Sequence, residues 1–320
     1  MKRRINYKYN SGNEIDLQIN KIISEHKYST IFHEPEWNII VSKYFKTDFF
    51  YWLVMDKNRV LGICPIHKIK NYLYSAPRSS QVIYGGWLFT EETNQVQELS
   101  FSKVMGIKSL TYWTAPDYTK RFFDKDFNKT FSTLLIDLDN ELDNIWRYSI
   151  NSKRRNMIRK ALKNNIKVKL LDYRGMKEYY KMMIETNKRV GLKMNPKEFY
   201  IEILKKYFKS NKAVCMIAFK NGVSLSGVII VRNRIFSVYW HGAGPQNRCN
   251  LGQSELLQWE AIKWSKSNGS KFYDLCYVDK KKQPHIDRFK YGFSQWEVPF
   301  YLFSKKPITF KIVNRIKKWF

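Results

Sequence analysis

Acidic residues are scarce in this 320-residue chain. Lysine and arginine number 57 against 28 aspartate and glutamate, which leaves a formal charge of +29. An excess of that size fits nucleic acid, phosphorylated substrates or anionic lipid surfaces, although a composition rich in Lys, Asn and Ile raises the background charge by itself. Cysteine is sparse too. Cys64, Cys215, Cys249 and Cys276 are scattered without a CxxC pair, which argues against a cysteine-built zinc site and a disulfide framework. His26, His33, His67, His241 and His285 show no HExxH spacing. GxSxG, Walker and strict GxGxxG patterns are also missing, so metal hydrolysis, P-loop chemistry and classical dinucleotide binding drop out. No apolar run approaches the roughly 20 residues that cross a bilayer. The Met1-Lys2-Arg3-Arg4 start has no apolar h-region behind its charges, so no secretory signal is expected and the expected compartment is the cytoplasm. Fourteen glycines and nine prolines exclude collagen-like and low-complexity chains.

Apolar residues are plentiful. Hydrophobic residues make up 44% and aromatics 16%, enough for a full core and, at this length, for about two domains. Residues 51–55 and 60–69 read as strands around the turn Asp56-Lys57-Asn58-Arg59. Residues 213–219 and 223–231 repeat the pattern around Lys220-Asn221-Gly222, with glycine where φ is positive. Each hairpin is followed by a strand (82–89, 236–243), a helical stretch (91–105, 251–267) ending at Gly106 or Gly269, and another strand (108–114, 271–277). The two sets are offset by about 163 positions, which we read as two copies of one α/β unit. A strand at 134–138 leads into the second copy. Helical patterns follow over 140–164, 175–190 and 196–208. The expected domains are 1–133 and 134–303, sharing an interface, with a basic amphipathic helix over 304–320.

Four clusters carry candidate chemistry. Residues 151–160 hold Lys153, Arg154, Arg155, Arg159 and Lys160. Arg155 and Arg159 share a helical face that suits a phosphate, or else is an ordinary solvated surface. Residues 241–252, from His241 to Gly252 with Arg248 and Asn250 between, form a glycine-rich strand-to-helix loop. Its backbone amides are an anion site or an ordinary cap. Asp274 lies on a mostly apolar strand, where a carboxylate either forms a structural salt bridge or serves a function, and Lys290 sits between aromatics, a setting for a desolvated lysine or else an ordinary surface one. At the C-terminus, Phe310, Val313, Ile316 and Phe320 form an apolar stripe beside Lys311, Arg315, Lys317 and Lys318, a membrane-surface pattern or a docked helix.

In order and spacing, several segments together resemble the FemAB-like branch of the GNAT acyltransferases. They are residues 152–161 (SKRRNMIRKA), 239–243 (YWHGA), 257–262 (LQWEAI), 272–275 (FYDL) and 289–293 (FKYGF). The resemblance covers roughly 134–303; the N-terminal half matches in architecture. It implies an α/β (α+β) mixed sheet in two tandem GNAT-like domains, and transfer of an aminoacyl or acyl group to an amine of a cell-envelope precursor. In the family the Phe-Lys motif matching Phe289 and Lys290 lies at the active site, with the lysine proposed to stabilise the tetrahedral intermediate. Asp274 and His241 are then candidates to take the amine's proton. Arg154, Arg155, Arg159, Trp240, Arg248, Asn250 and Gly252 are candidates to hold substrate. The loop from Gln246 to Gly252 departs from the Q/R-x-x-G-x-G/A pattern of acetyl-CoA-binding members. No cofactor is expected to be resident, and the donor is aminoacyl-tRNA or an acyl-CoA. Partners implied are a nucleotide- or lipid-linked envelope precursor, tRNA, and peripheral contact with an anionic membrane on its inner face. Readings from other classes are an N-acetyltransferase using acetyl-CoA, and a non-catalytic basic protein that binds nucleic acid or membrane on the same scaffold.

Overall fold

The computed structural model describes residues 2–10, 12–70, 72–75, 83–90, 110–117, 127–245, 249–279 and 284–305. The chain divides into two compact units. The first takes 1–131 and the returning segment 299–320; the second takes 132–298. The expected boundary at 303 therefore falls differently, because residues 299–305 pair inside the first unit. The expected helix at 91–105 and the C-terminal stripe at 309–320 lie outside the described residues.

In the first unit, β1 (Lys2–Tyr7), β2 (Asp48–Asp56) and β3 (Arg59–Ile69) are successive antiparallel neighbours. β4 (Tyr72–Tyr74) and β5 (Leu88–Phe89) both pair with β3, and β6 (Leu110–Trp113) lies between β4 and residues 299–305. Alternation along β2 sends Tyr51, Leu53 and Met55 to one face and Trp52 and Val54 to the other. The first set meets Ile19, Ile22 and Ile23 of α1 (Glu14–Glu25), a helix started by the Asn13–Asp16 capping pair. α2 (Pro35–Phe45) begins on a proline at its first turn.

In the second unit the sheet order is β7-β12-β11-β10-β9-β8. The strands are β7 (Phe127–Asp137, through 132–137), β8 (Lys167–Leu171), β9 (Ala213–Lys220), β10 (Val223–Arg232), β11 (Phe236–Ala243) and β12 (Phe272–Val278). All neighbours are antiparallel except β11 and β12. That parallel pair requires a crossover, which α6 (Gln253–Ser267) supplies. α3 (Ser152–Lys163) and α6 share the apolar cluster on one face with Val214, Met216, Val228 and Ile230. α4 (Met176–Val190) and α5 (Lys197–Tyr207) lie against β9 to β11. α7 (Pro284–Lys290) and β13 (Glu297–Lys305) close the described chain.

The expected helix over 140–164 is broken in two. A turn at Leu142–Asn144 runs into a π-helical turn, Ile145–Ser149; the chain then extends at Ile150, and Asn151 caps α3 through Arg154 N at 3.0 Å. The duplication is visible in register. Tyr7 pairs with Tyr51 and Leu171 with Cys215, while Asp56 pairs with Arg59 and Lys220 with Val223. Each pair is shifted by 164 positions. Each hairpin also carries a bulge, at Leu61 and at Leu225, with the same shift. The fold is a mixed α/β arrangement of two tandem units that share one hairpin layout.

Candidate active site

β11 and β12 pair only over Phe236–Val238 and Phe272–Asp274. Both strands are irregular just past that point. β11 bulges at Trp240, since Ile229 opposes His241 while Ile230 opposes Tyr239. β12 bulges between Asp274 and Tyr277 against β7, and Cys276 takes φ +63. Two parallel strands that part after three residues leave backbone groups with no ladder partner between them. Side chains take up several of these groups: the Cys276 amide and the Tyr239, Cys276 and Tyr277 carbonyls.

Asp274 holds the second bulge. It is 0% exposed, and its Oδ1 accepts from Thr133 Oγ1 and from the Cys276 amide at 2.8 Å. That explains how a cysteine occupies left-handed backbone: the carboxylate bonds the amide two residues ahead, as in an Asx turn. Cys276 Sγ reaches the Tyr239 carbonyl at 3.2 Å, bridging from β12 to β11. Burial pushes this thiol well above its ordinary range; Asp274 adds to the rise and Lys290 opposes it.

Lys290 ends α7 with only 7% of its surface exposed, and its Nζ donates to the carbonyls of Tyr277 at 2.8 Å and Cys276 at 3.3 Å. Burial lowers its pKa from the usual lysine value, against the opposing pull of Cys276, Asp274 and Asp287. Two of three N–H groups are thus directed at the bulge. Phe289 beside it stacks under the Arg154 guanidinium at 4.7 Å and packs on Phe293 at 5.2 Å. His241 is half-buried, with ring centroids 4.7 Å from Trp240 and 5.3 Å from Tyr200.

The arginine run behaves otherwise than its sequence promises. Arg154 turns inward. Its Nη1 pairs with Glu255 at 2.7 Å in a largely buried ion pair, and its Nη2 donates to the Arg288 carbonyl at 3.1 Å. Gly292 leaves room for that side chain, since a Cβ there would lie 2.5 Å from Arg154 Nε. Arg155 Nη1 donates to the carbonyls of Arg147 (3.0 Å), Trp146 (3.3 Å) and Ile150, tying off the π-helical turn. Arg155 and Arg159 therefore do not present a shared phosphate-binding face. Arg159 is exposed, over Trp146 at 5.6 Å and bonded to Asn156 at 2.9 Å.

The glycine-rich loop is largely satisfied from within. Asn250 Oδ1 accepts from Gly252 N at 3.1 Å, Gln253 Oε1 accepts from Leu251 N at 2.8 Å, and Lys160 donates to the Asn250 carbonyl at 2.8 Å. Gly252, with φ +86, is the N-cap of α6. A Cβ on it would sit 2.0 Å from the Met157 carbonyl, so this glycine lets α6 pack on α3. Arg248 lies outside the described residues. Glu255, Thr133 and Tyr200 were not singled out in the sequence; each is far in sequence from the group it serves, and no local spacing marks it.

The first unit repeats the hairpin but not this bulge. Its strand β6 pairs without interruption from Leu110–Lys305 to Trp113–Leu302, and Leu110 stands where the 164-residue shift brings Asp274. A cavity of the first unit, about 530 Å³ and lined by residues including Lys8, Tyr9, Asp48 and Phe49, contains none of the candidate residues.

The FemAB family model matches residues 123–221. A crystal structure of FemX superposes with a TM-score of 0.69 at 12% identity, covering 93% of this chain and 96% of that one. The chain resembles the FemAB-like branch of the GNAT superfamily. L-PGS from Bacillus licheniformis matches with a TM-score of 0.58 at 11% identity, covering 95% and 97% of the two chains. A tandem GNAT protein from the clavulanic acid biosynthesis pathway matches with 0.53 at 9%, covering 96% and 99%. No curated protein sequence matches the chain. At these identities the likeness establishes the FemAB-like fold. The family model ends before Trp240, His241, Asp274 and Lys290, so the roles of those residues rest on the geometry above.

Proposed function

We propose that this protein transfers an aminoacyl or acyl group to an amine of a cell-envelope precursor. The observation that carries the reading is Lys290: a buried ammonium fixed by two carbonyls at the point where β11 and β12 part. The FemAB family match and the FemX and L-PGS likenesses support an aminoacyl donor. In the reaction the acceptor amine attacks the donor's ester carbonyl. A C–N bond forms, negative charge develops on oxygen, and the C–O bond breaks to release the donor's hydroxyl. The Lys290 N–H not used by the bulge carbonyls stabilises that oxyanion, and loss of such a donor costs about 10²–10³ in rate. His241 takes the proton shed by the amine, held in orientation by Tyr200 and Trp240. Asp274 is the poorer candidate, being fully buried and already engaged at Oδ1. With Arg154 and Arg155 committed inside the protein, contact with substrate phosphate falls to Arg159 and the exposed Lys153. Two amides of the 249–252 loop are occupied by side chains, which favours aminoacyl-tRNA over a CoA pyrophosphate as donor.

Calorimetric titration of acetyl-CoA, charged tRNA and uncharged tRNA at one salt concentration tests the donor. Heat from charged tRNA above uncharged is expected; heat from acetyl-CoA alone would move the reading to N-acetylation. Lys290→Ala is expected to lose about 10²–10³ in turnover with the fold retained. Because the acting form is the ammonium and burial lowers its pKa, turnover should fall on the alkaline side before the ordinary lysine value is reached. Wild-type turnover in Lys290→Ala would remove the lysine from the mechanism.

A further inference from the structure

The end of α4 and the turn after it form an exposed tip reading Lys188-Arg189-Val190-Gly191-Leu192-Lys193. Leu192 is 64% exposed, Val190 50%, and Ile184, nearby on α4, 46%. Lys181, Lys188, Arg189 and Lys193 are exposed on the same helix and turn, with Glu185 as an acidic neighbour in sequence. Among the described residues, none of these four cations is engaged in an ion pair. The tip is built rather than loose. Gly191 closes the helix at φ +71, Leu192 N donates to the Asn187 carbonyl at 2.9 Å, and Asn187 Nδ2 reaches Met194 Sδ at 3.0 Å. It is also tied to the candidate site. Thr186 Oγ1 and the backbone of Gly244 exchange two hydrogen bonds of 3.1 Å, and Gly244 lies three residues past His241. On the other side of the turn, Asn195 Nδ2 donates at 3.1 Å to the Tyr200 hydroxyl, whose ring packs on His241.

We infer that this tip seats the protein on an anionic membrane surface and so brings a lipid-linked form of the acceptor to the site. Aliphatic side chains flanked by cations match a lipid interface: the apolar groups enter the acyl boundary while the charges meet anionic headgroups. RNA fits less well. Its phosphates need no aliphatic partners, its unstacked bases favour aromatic platforms, and residues 184–193 contain no aromatic side chain. The word acceptor rests on the acyl-transfer reading; the surface itself does not.

The test is sedimentation of the full-length protein with vesicles of phosphatidylglycerol and phosphatidylcholine, against phosphatidylcholine alone. The wild type should bind the anionic vesicles selectively. The double variant Val190→Asp/Leu192→Asp should bind them at least about tenfold more weakly, while turnover on a water-soluble amine stays unchanged. Lys188→Glu/Arg189→Glu should abolish the preference for phosphatidylglycerol. Undiminished vesicle binding by the apolar variant overturns the inference. So does a charge-reversal variant that loses tRNA while keeping vesicles, which would make the tip an RNA contact. The two readings fail separately: lost vesicle binding in a protein with no transferase activity upholds the surface alone, and turnover with vesicle binding intact in the apolar variant upholds the enzyme alone.

Discussion

Asp274 and Lys290 are both charged groups taken out of water, yet they are held for different ends. The carboxylate braces a backbone bulge through Thr133 and the Cys276 amide, while the ammonium keeps an N–H beyond its two carbonyl bonds. The distinction is testable by isosteric replacement. Asp274→Asn preserves an oxygen that accepts both hydrogen bonds, so the bulge is kept and turnover should stay within about tenfold of wild type. Asp274→Ala orphans the buried Thr133 hydroxyl and Cys276 amide and should lower stability by about 2–4 kcal/mol in urea titration. If Asp274→Asn abolished turnover in a folded protein, the carboxylate would be an acid–base group after all. The burial of Asp274 could be read from its apolar strand neighbours. Its task could not, because Thr133 lies 141 positions away and the bulge depends on β7. Arg154 and Arg155 misled for the same reason: a local charge run looks like solvated surface or a phosphate face, and the inward turn of Arg154 depends on Glu255, 101 positions on.

At the scale of elements, the hairpins and the crossover were legible because their signals are short-range. Alternating apolar residues around Asp56-Lys57-Asn58-Arg59 and Lys220-Asn221-Gly222 appear as β2–β3 and β9–β10, and 236–243 appears as β11. The break at Ile150 was not, since the apolar spacing on either side reads as one continuous helix; the Asn151 amide instead bonds the Gly292 carbonyl, far along the chain. Gly252 is the element-scale position most sensitive to change. Gly252→Ala meets the Met157 carbonyl and must also hold φ +86, so we expect a loss of about 2–4 kcal/mol in thermal or chemical denaturation. Gly222→Ala is the control. It has φ +78 with nothing near its Cβ, and should lose only about 1–2 kcal/mol. Equal losses at the two positions would mean that α3 and α6 separate to admit a methyl group.

Over the whole molecule, the two units share a layout and differ in what they bury. The first encloses His33 and His67 at the core. Burial lowers each to about pH 3, with His26 adding to the shift of His33. His67 is held as a neutral ring between Asn38 and Thr47, 2.8 Å from each. A histidine kept neutral by the fold and free to protonate when unfolded withdraws stability as pH falls from about 6.5 toward 3, by at most about 1.4 kcal/mol per pH unit for each ring. Hydrogen exchange followed by mass spectrometry should therefore show peptides from 12–70 losing protection ahead of those from 132–298 as pH is lowered from 6.5 to 4. The reverse order would mean that carboxylates of the second unit, not these histidines, set acid sensitivity.

The matched bulges at Leu61 and Leu225 carry a historical consequence. An irregularity at the same place in both copies is most simply older than the copying: the ancestral gene, of about 164 codons by the register shift, already encoded that kink. The carboxylate-braced bulge at Cys276 has no counterpart at Leu110–Trp113, so it was gained by one descendant or lost by the other. In either history the hairpin with its kink is inherited scaffold, and the braced bulge at Cys276 is one point at which the paralogous halves went separate ways.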